Sequence, residues 1–279
     1  MNNTIVRTIT GIFIILVIIV PMWAVNYSFI FFTTVFSLIT FLSLREFHLL
    51  LKCNKEADTL IILNALIGVL LFISTSLIIF KGLSKSVLIL VWGAHLALMA
   101  IELFLKKEKP FLNLAYSILG MFWIALPLSA LNILFLPEFY QGDVHIIAMS
   151  VFVFLWVNDT GAYVFGLSFG KHRLFERISP KKSWEGFIGG ILSVLLAAYI
   201  VSFFWKGFGF GEWMLFGLLI AISGTFGDLV ESLFKRSINC KDSGRFFPGH
   251  GGFLDRFDCV FFAVPAAVAY LLIKNYLGL

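Results

Sequence analysis

Asp228, Glu231, Ser232 and Lys235 stand three and four residues apart in the segment S-G-T-F-G-D-L-V-E-S-L-F-K-R at 223–236. A continuous helix carries such positions on one face. Asn158 and Asp159 interrupt the apolar run W-V-N-D-T-G-A-Y at 156–163. An ionised carboxylate at membrane depth costs about 2.5–3.5 kcal/mol on insertion scales, so it must face a bundle interior, a polar cavity or a cation. Pairing with a lysine of another helix is the purely structural alternative. A third segment, K-D-S-G-R-F-F-P-G-H-G-G-F-L-D-R-F-D at 241–258, contains Gly249, Gly251 and Gly252. Glycines of this kind permit backbone shapes denied to other residues, and the N–H groups they expose can cradle phosphate oxygens. Asp255 and Asp258, three apart, share one side at the start of the last apolar run. The segment S-P-K-K-S-W-E-G at 179–186 adds Lys181 and Lys182, which serve equally well as membrane-surface anchors.

Carboxylates and cations of this density point to one kind of chemistry. Hard carboxylates suit Mg²⁺, which takes one or two protein carboxylates plus substrate phosphates and water. Arginine and lysine stabilise phosphoryl oxygens and a developing pyrophosphate charge. The pairing is that of phosphoryl or nucleotidyl transfer. The sequence has no G-x-x-x-x-G-K-[ST] loop, no G-x-S-x-G elbow and no H-E-x-x-H pair, which argues against a P-loop ATPase, a serine hydrolase or a zinc protease. Cys53, Cys240 and Cys259 lack C-x-x-C spacing and read as free thiols.

The elements that position these residues are membrane helices. The 279 residues are 60% hydrophobic and 13% charged, with a mean hydropathy of +0.97; a soluble domain carries about 25% charge. The apolar residues fall in continuous runs of about 20, the length that crosses a bilayer as a helix. The fold class expected is therefore all-α and polytopic. Nine spans are predicted, at 8–25, 27–44, 59–80, 87–105, 111–136, 145–166, 186–205, 212–230 and 257–277. Arg7 and the run to Val20 resemble a signal peptide, but no small-x-small cleavage site follows, so a retained first helix is expected. With the N-terminus cytoplasmic, all but four of the 21 Lys and Arg residues fall on the cytoplasmic side, the exceptions being Lys81, Lys85, Lys206 and Lys274. The net charge of +5 thus belongs to cytoplasmic loops. It indicates membrane surface and phosphate ligands rather than nucleic acid. The expected division is 1–144, mostly featureless spans, and 145–279, a catalytic region with cytoplasmic loops at 167–185 and 231–256.

The segment Ser232–Asp258, S-L-F-K-R-S-I-N-C-K-D-S-G-R-F-F-P-G-H-G-G-F-L-D-R-F-D, resembles the signature of the phosphatidate cytidylyltransferases (CDP-diacylglycerol synthases). W-x-x-D-T-G-A-Y at 156–163, S-P-K-K-S-W-E-G at 179–186 and G-D-L-x-E-S at 227–232 are similar to other segments of that family. The likeness is strong over 150–260 and topological in the first half. It implies CTP + phosphatidate → CDP-diacylglycerol + pyrophosphate, with Mg²⁺, alone or with a second cation. It also implies a multi-pass protein of the inner (cytoplasmic) membrane, often homodimeric, with its active site facing the cytoplasm. By the same resemblance Asp228 and Asp255 are the leading metal ligands, followed by Asp258 and Asp159. Lys235, Arg236, Lys241 and Arg256 are candidates for the triphosphate or the lipid phosphate. Lys181, Lys182, Ser232, Gly249, His250, Gly251 and Gly252 are the remaining substrate-binding candidates.

The chemistry of the residues agrees. A lipid phosphomonoester has its second pKa near 6, so it is anionic near neutral pH and needs no strong base. The obstacle is repulsion between two anions, which cations must offset; hence a site rich in Asp, Lys and Arg and poor in His. Two other readings stay open: a related CTP-dependent enzyme acting on another lipid, and a transporter with intramembrane ion sites. Against transport, the carboxylates gather at one membrane edge and no inverted repeat is visible.

Overall fold

The computed structural model describes residues 3–139, 145–244, 246 and 251–278. Its helices are α1 (Asn3–Trp23), α2 (Phe29–Cys53), α3 (Ile61–Lys81), α4 (Leu88–Phe104), α5 (Pro110–Gly120), α6 (Leu126–Ala130), α7 (His145–Phe169), α8 (Trp184–Phe204), α9 (Phe210–Ser237), α10 (Leu254–Phe257) and α11 (Val260–Leu277). Among the described residues nine helices are long and apolar enough to cross a membrane. The fifth of these runs continuously from Pro110 to Phe135. It contains a π-helical turn at Met121–Ala125, just before Pro127. Proline lacks an N–H and collides with the carbonyl four residues back, and the widened turn relieves both.

Two helix ends and one loop differ from the sequence expectation. α2 runs on to Cys53 and α9 to Ser237, each carrying its charged last turns past the apolar limit that set the predicted end. The loop expected at 167–185 contains an antiparallel hairpin, β1 (Arg173–Phe175) and β2 (Ser179–Ser183), pairing Arg173 with Ser183 and Phe175 with Ser179. Strands this short and polar carry no readable alternation.

The chain forms two compact units. One comprises residues 1–132 and 237–257, the other 133–236 and 258–279. In the first, α2 and α3 pack through phenylalanines: Phe32, Phe36 and Phe72 are fully buried, with ring centroids 4.7–6.3 Å apart. In the second, buried Gly189 and Gly190 of α8 face α7, the small-residue packing used where lipid removes the hydrophobic drive between helices. Phe154, Phe208, Trp213 and Phe216 form an aromatic core there. Lys274, near the end of α11, lies 2.5 Å from Glu212 at the start of α9, while Lys182 meets Asp228 in the later turns of α9.

Candidate active site

α9 places Asp228 and Glu231 one turn apart on one face, and the start of the last span meets that face. Gly227 makes the meeting possible. A Cβ at this position would stand 2.5 Å from the carbonyl oxygen of Asp258 and 3.1 Å from Cα of Cys259. With no side chain there, the α9 backbone touches the backbone at 258–259, and the Asp258 carboxylate comes alongside. One oxygen each of Asp228, Glu231 and Asp258 then lies within 4.8 Å of the others. Gly227→Ala is accordingly expected to destabilise the protein by about 1–3 kcal/mol, the usual cost of overpacking, and to lower turnover by forcing Asp258 away. Thermal unfolding in detergent and rates of the folded fraction measure the two effects separately.

Two ammonium groups are built into the carboxylate group. Lys235, one turn beyond Glu231, lies 2.5 Å from it; the Glu231 side chain is 0% exposed and that of Lys235 12%. Lys182 lies 2.5 Å from Asp228. Burial opposes the charge on Lys182, but Asp228, with Asp258 behind it, outweighs that effect and raises its pKa above the ordinary lysine value. Lys182 therefore stays cationic through the neutral range. It is delivered by the hairpin, which is fixed at its base: Glu185 accepts from the backbone N–H groups of Lys171 and His172, and its Oε1 lies 2.6 Å from His172 Nδ1. Ser183 caps α8 by accepting from Gly186 N–H at 3.1 Å. Arg236 donates from Nε to the carbonyl of Ile178 at 3.4 Å, tying the end of α9 to the same hairpin. Ser232 donates to Asp228 Oδ1 at 3.3 Å.

A cavity of about 290 Å³ opens beside this group, with Asn158, Asp159, Lys181, Lys182, Thr225 and Asp228 among its walls. Asn158 donates to Thr225 at 3.1 Å and so fixes α7 against α9. The donor set fits a hard divalent cation. Three carboxylates bring one oxygen each to a common point, and every candidate ligand atom is oxygen. Like charges this close need a cation between them to remain ionised together.

Asp255 belongs to the first unit. Its carboxylate accepts from the backbone N–H groups of Gly252 at 2.9 Å and Ser243 at 3.1 Å. Gly251 has φ = +80°, a left-handed conformation that favours glycine. Lys241 and Arg256 are exposed. Gly249 and His250 lie outside the described residues. Glu46 of α2 reaches the same loop, accepting from Phe253 N–H at 2.9 Å, Leu254 N–H at 3.1 Å and the Ser243 hydroxyl.

Residues 5–274 match the Cytidylyltransferase family. The chain belongs to that family. Among curated relatives, the phosphatidate cytidylyltransferase of Staphylococcus aureus (strain COL) is 40% identical over 162 residues, 57% of this chain and 60% of the relative. That of Staphylococcus epidermidis is 48% identical over 119 residues, 42% of this chain and 45% of the relative. The chain thus covers 60% of the length of the first of these relatives.

Within this cytidylyltransferase-family chain, the second unit brings together Asp228, Asp258, Ser232, Lys182 and Lys235, with Asp159 and Lys181 on the cavity wall. Asp255, Gly251, Gly252, Lys241 and Arg256 are in the first unit. Sequence reasoning did not assign Glu231 to the metal group or single out Glu46. Glu231 was legible as the i+3 partner of Asp228 on a shared helix face. Glu46 gave no such signal: it follows Arg45 just beyond the predicted end of the second span, where a charged residue reads as an ordinary span boundary.

Proposed function

We propose that this protein transfers CMP from CTP to phosphatidate, giving CDP-diacylglycerol and pyrophosphate, at the cytoplasmic face of the inner membrane. The observation that carries the reading is the convergence of Asp228, Glu231 and Asp258 with Lys182 and Lys235 beside a cavity that Lys181, Lys182 and Asp159 also line, in a chain of the cytidylyltransferase family. The names of the staphylococcal relatives favour phosphatidate as the acceptor. A cavity of about 290 Å³ suits a phosphate-bearing head and leaves the acyl chains to the bilayer.

In this reading Asp228 and Asp258, with Glu231, would hold Mg²⁺, and Asp159 and Asp255 are the further candidate ligands. Bound Mg²⁺ would neutralise phosphate charge on both substrates. A phosphate oxygen of phosphatidate attacks the α-phosphorus of CTP, the bond from that phosphorus to the β-phosphate oxygen breaks, and pyrophosphate leaves with the electron pair. Lys182 and Lys181 offer ammonium groups to the phosphoryl oxygens from the cavity wall, and Lys235 and Arg236 do so from the end of α9. Lys241, Arg256 and the Gly249–Gly252 loop, His250 included, supply cations and backbone donors to the triphosphate or the lipid phosphate. The acceptor oxygen is already ionised, so these residues orient and screen charge rather than remove a proton. A homodimer is the assembly proposed.

Purified protein given CTP and phosphatidate should release pyrophosphate and form CDP-diacylglycerol with Mg²⁺ present. Release should require both substrates and stop in EDTA. Folded protein that turns over only with a different phosphorylated lipid would overturn the acceptor assignment, and no turnover with any would overturn the reaction.

A further inference from the structure

The segment Asn239–Gly244 (N-C-K-D-S-G) is polar and glycine-containing, so apolar packing cannot fix its backbone. Two carboxylates do this instead. Asp255 accepts from the N–H groups of Ser243 and Gly252. Glu46, projecting from α2 almost two hundred residues earlier in the chain, accepts from Phe253 N–H and Leu254 N–H on its two separate oxygens and from the Ser243 hydroxyl. Ser243 joins the two halves: its hydroxyl donates to Glu46 and accepts from Asp255 N–H at 3.3 Å. Gly252 leaves room for the arrangement, since a Cβ there would strike both Glu46 Oε1 and Ser243 Oγ. The glycine is thus required by the Glu46 carboxylate, independently of any phosphate. Charge-assisted bonds from a carboxylate to backbone N–H groups are about twice as strong as neutral ones, and an ionised carboxylate alone among these side chains accepts on both oxygens.

We infer that Glu46 is a positioning residue for cytidylyl transfer: through Ser243, Phe253 and Leu254 it sets the backbone at Ser243 and Gly252–Leu254 and the start of α10, and hence the placement of Asp255 and Arg256. This rests on the proposed role of that loop in binding phosphate. Glu46 touches no reacting atom and acts only through the loop.

The test uses the full chain in lipid nanodiscs, with Glu46→Gln, Glu46→Ala and Ser243→Ala variants. Hydrogen exchange of the Phe253 and Leu254 amides should accelerate at least about tenfold in Glu46→Ala, while amides of α7 and α8 keep wild-type rates. The kcat should fall about a hundredfold, the scale of a 1 Å misplacement. Glu46→Gln, which retains one accepting oxygen, should recover part of the loss. Combining Glu46→Ala with Ser243→Ala should cost little more than Glu46→Ala alone, as expected for residues acting as one unit. Unchanged exchange at Phe253 and Leu254 would overturn the inference. So would faster exchange with wild-type kcat, which would leave Glu46 a structural brace only. A wild-type chain that releases no pyrophosphate would instead refute the proposed reaction, while the exchange arm still decides whether Glu46 holds the loop.

Discussion

Asp228→Asn is expected to lower pyrophosphate release by at least about a thousandfold, close to 4 kcal/mol of transition-state stabilisation, while the protein still inserts and purifies as a monodisperse species. The substitution keeps the shape of the side chain and removes its charge. Three consequences add in the same direction. The carboxylate group loses the member that also lines the cavity. Lys182 loses the anion 2.5 Å away that holds its ammonium in place. The Ser232 hydroxyl loses a charged acceptor. None of the three props up a core, because Asp228 is only half-buried. Rates per folded molecule, taken beside gel-filtration profiles and thermal unfolding curves, test this. Turnover within tenfold of wild type would remove Asp228 from the metal assignment and take the central ligand with it.

Lys235→Met should act chiefly on stability. Glu231 is fully buried and its carboxylate lies 2.5 Å from the Lys235 ammonium. Truncating one partner of a buried pair leaves a charge in a low-dielectric setting and costs about 3–5 kcal/mol. The double variant Glu231→Gln with Lys235→Met removes both charges and should recover much of the loss. Thermal unfolding of the four proteins in one detergent supplies the cycle. Mg²⁺ should narrow the gap between wild type and Lys235→Met, because a cation held by Asp228, Glu231 and Asp258 replaces the missing ammonium. An unchanged gap would assign Glu231 to structure alone.

Lys235 also shows how a one-dimensional reading and a packed structure divide the work. In the sequence it is a cation beside carboxylates and a natural phosphate ligand. In the structure its ammonium is already engaged by Glu231, so any contact with phosphate is shared with that pair. Lys182 differs in kind: it faces the cavity as well as Asp228, and it can serve a ligand without abandoning its partner. Asp255 and Asp258 are three residues apart, yet the first is engaged by the backbone of the glycine loop and the second joins the α9 carboxylates. Spacing alone put them on one side of one helix; the break between α10 and α11 gave them different neighbours.

The sequence by itself determined the membrane class and, among the described residues, the nine helices long and apolar enough to span. These follow from composition and from local period: a bilayer admits only runs of about 20 apolar residues with their backbone paired internally, and carboxylates and cations survive there only with partners. It also carried the family, through motifs whose residues are contiguous. Tertiary structure alone decided which carboxylate meets which cation. Glu46 is joined to Phe253 and Leu254 by its carboxylate and their two backbone N–H groups, and Gly227 to Asp258 by the absence of one Cβ. Such contacts link residues far apart in the chain through interactions of a few ångströms. Hydropathy and helical period are properties of a segment, whereas a hydrogen bond or a close approach is a property of two segments whose mutual placement only the packed fold supplies.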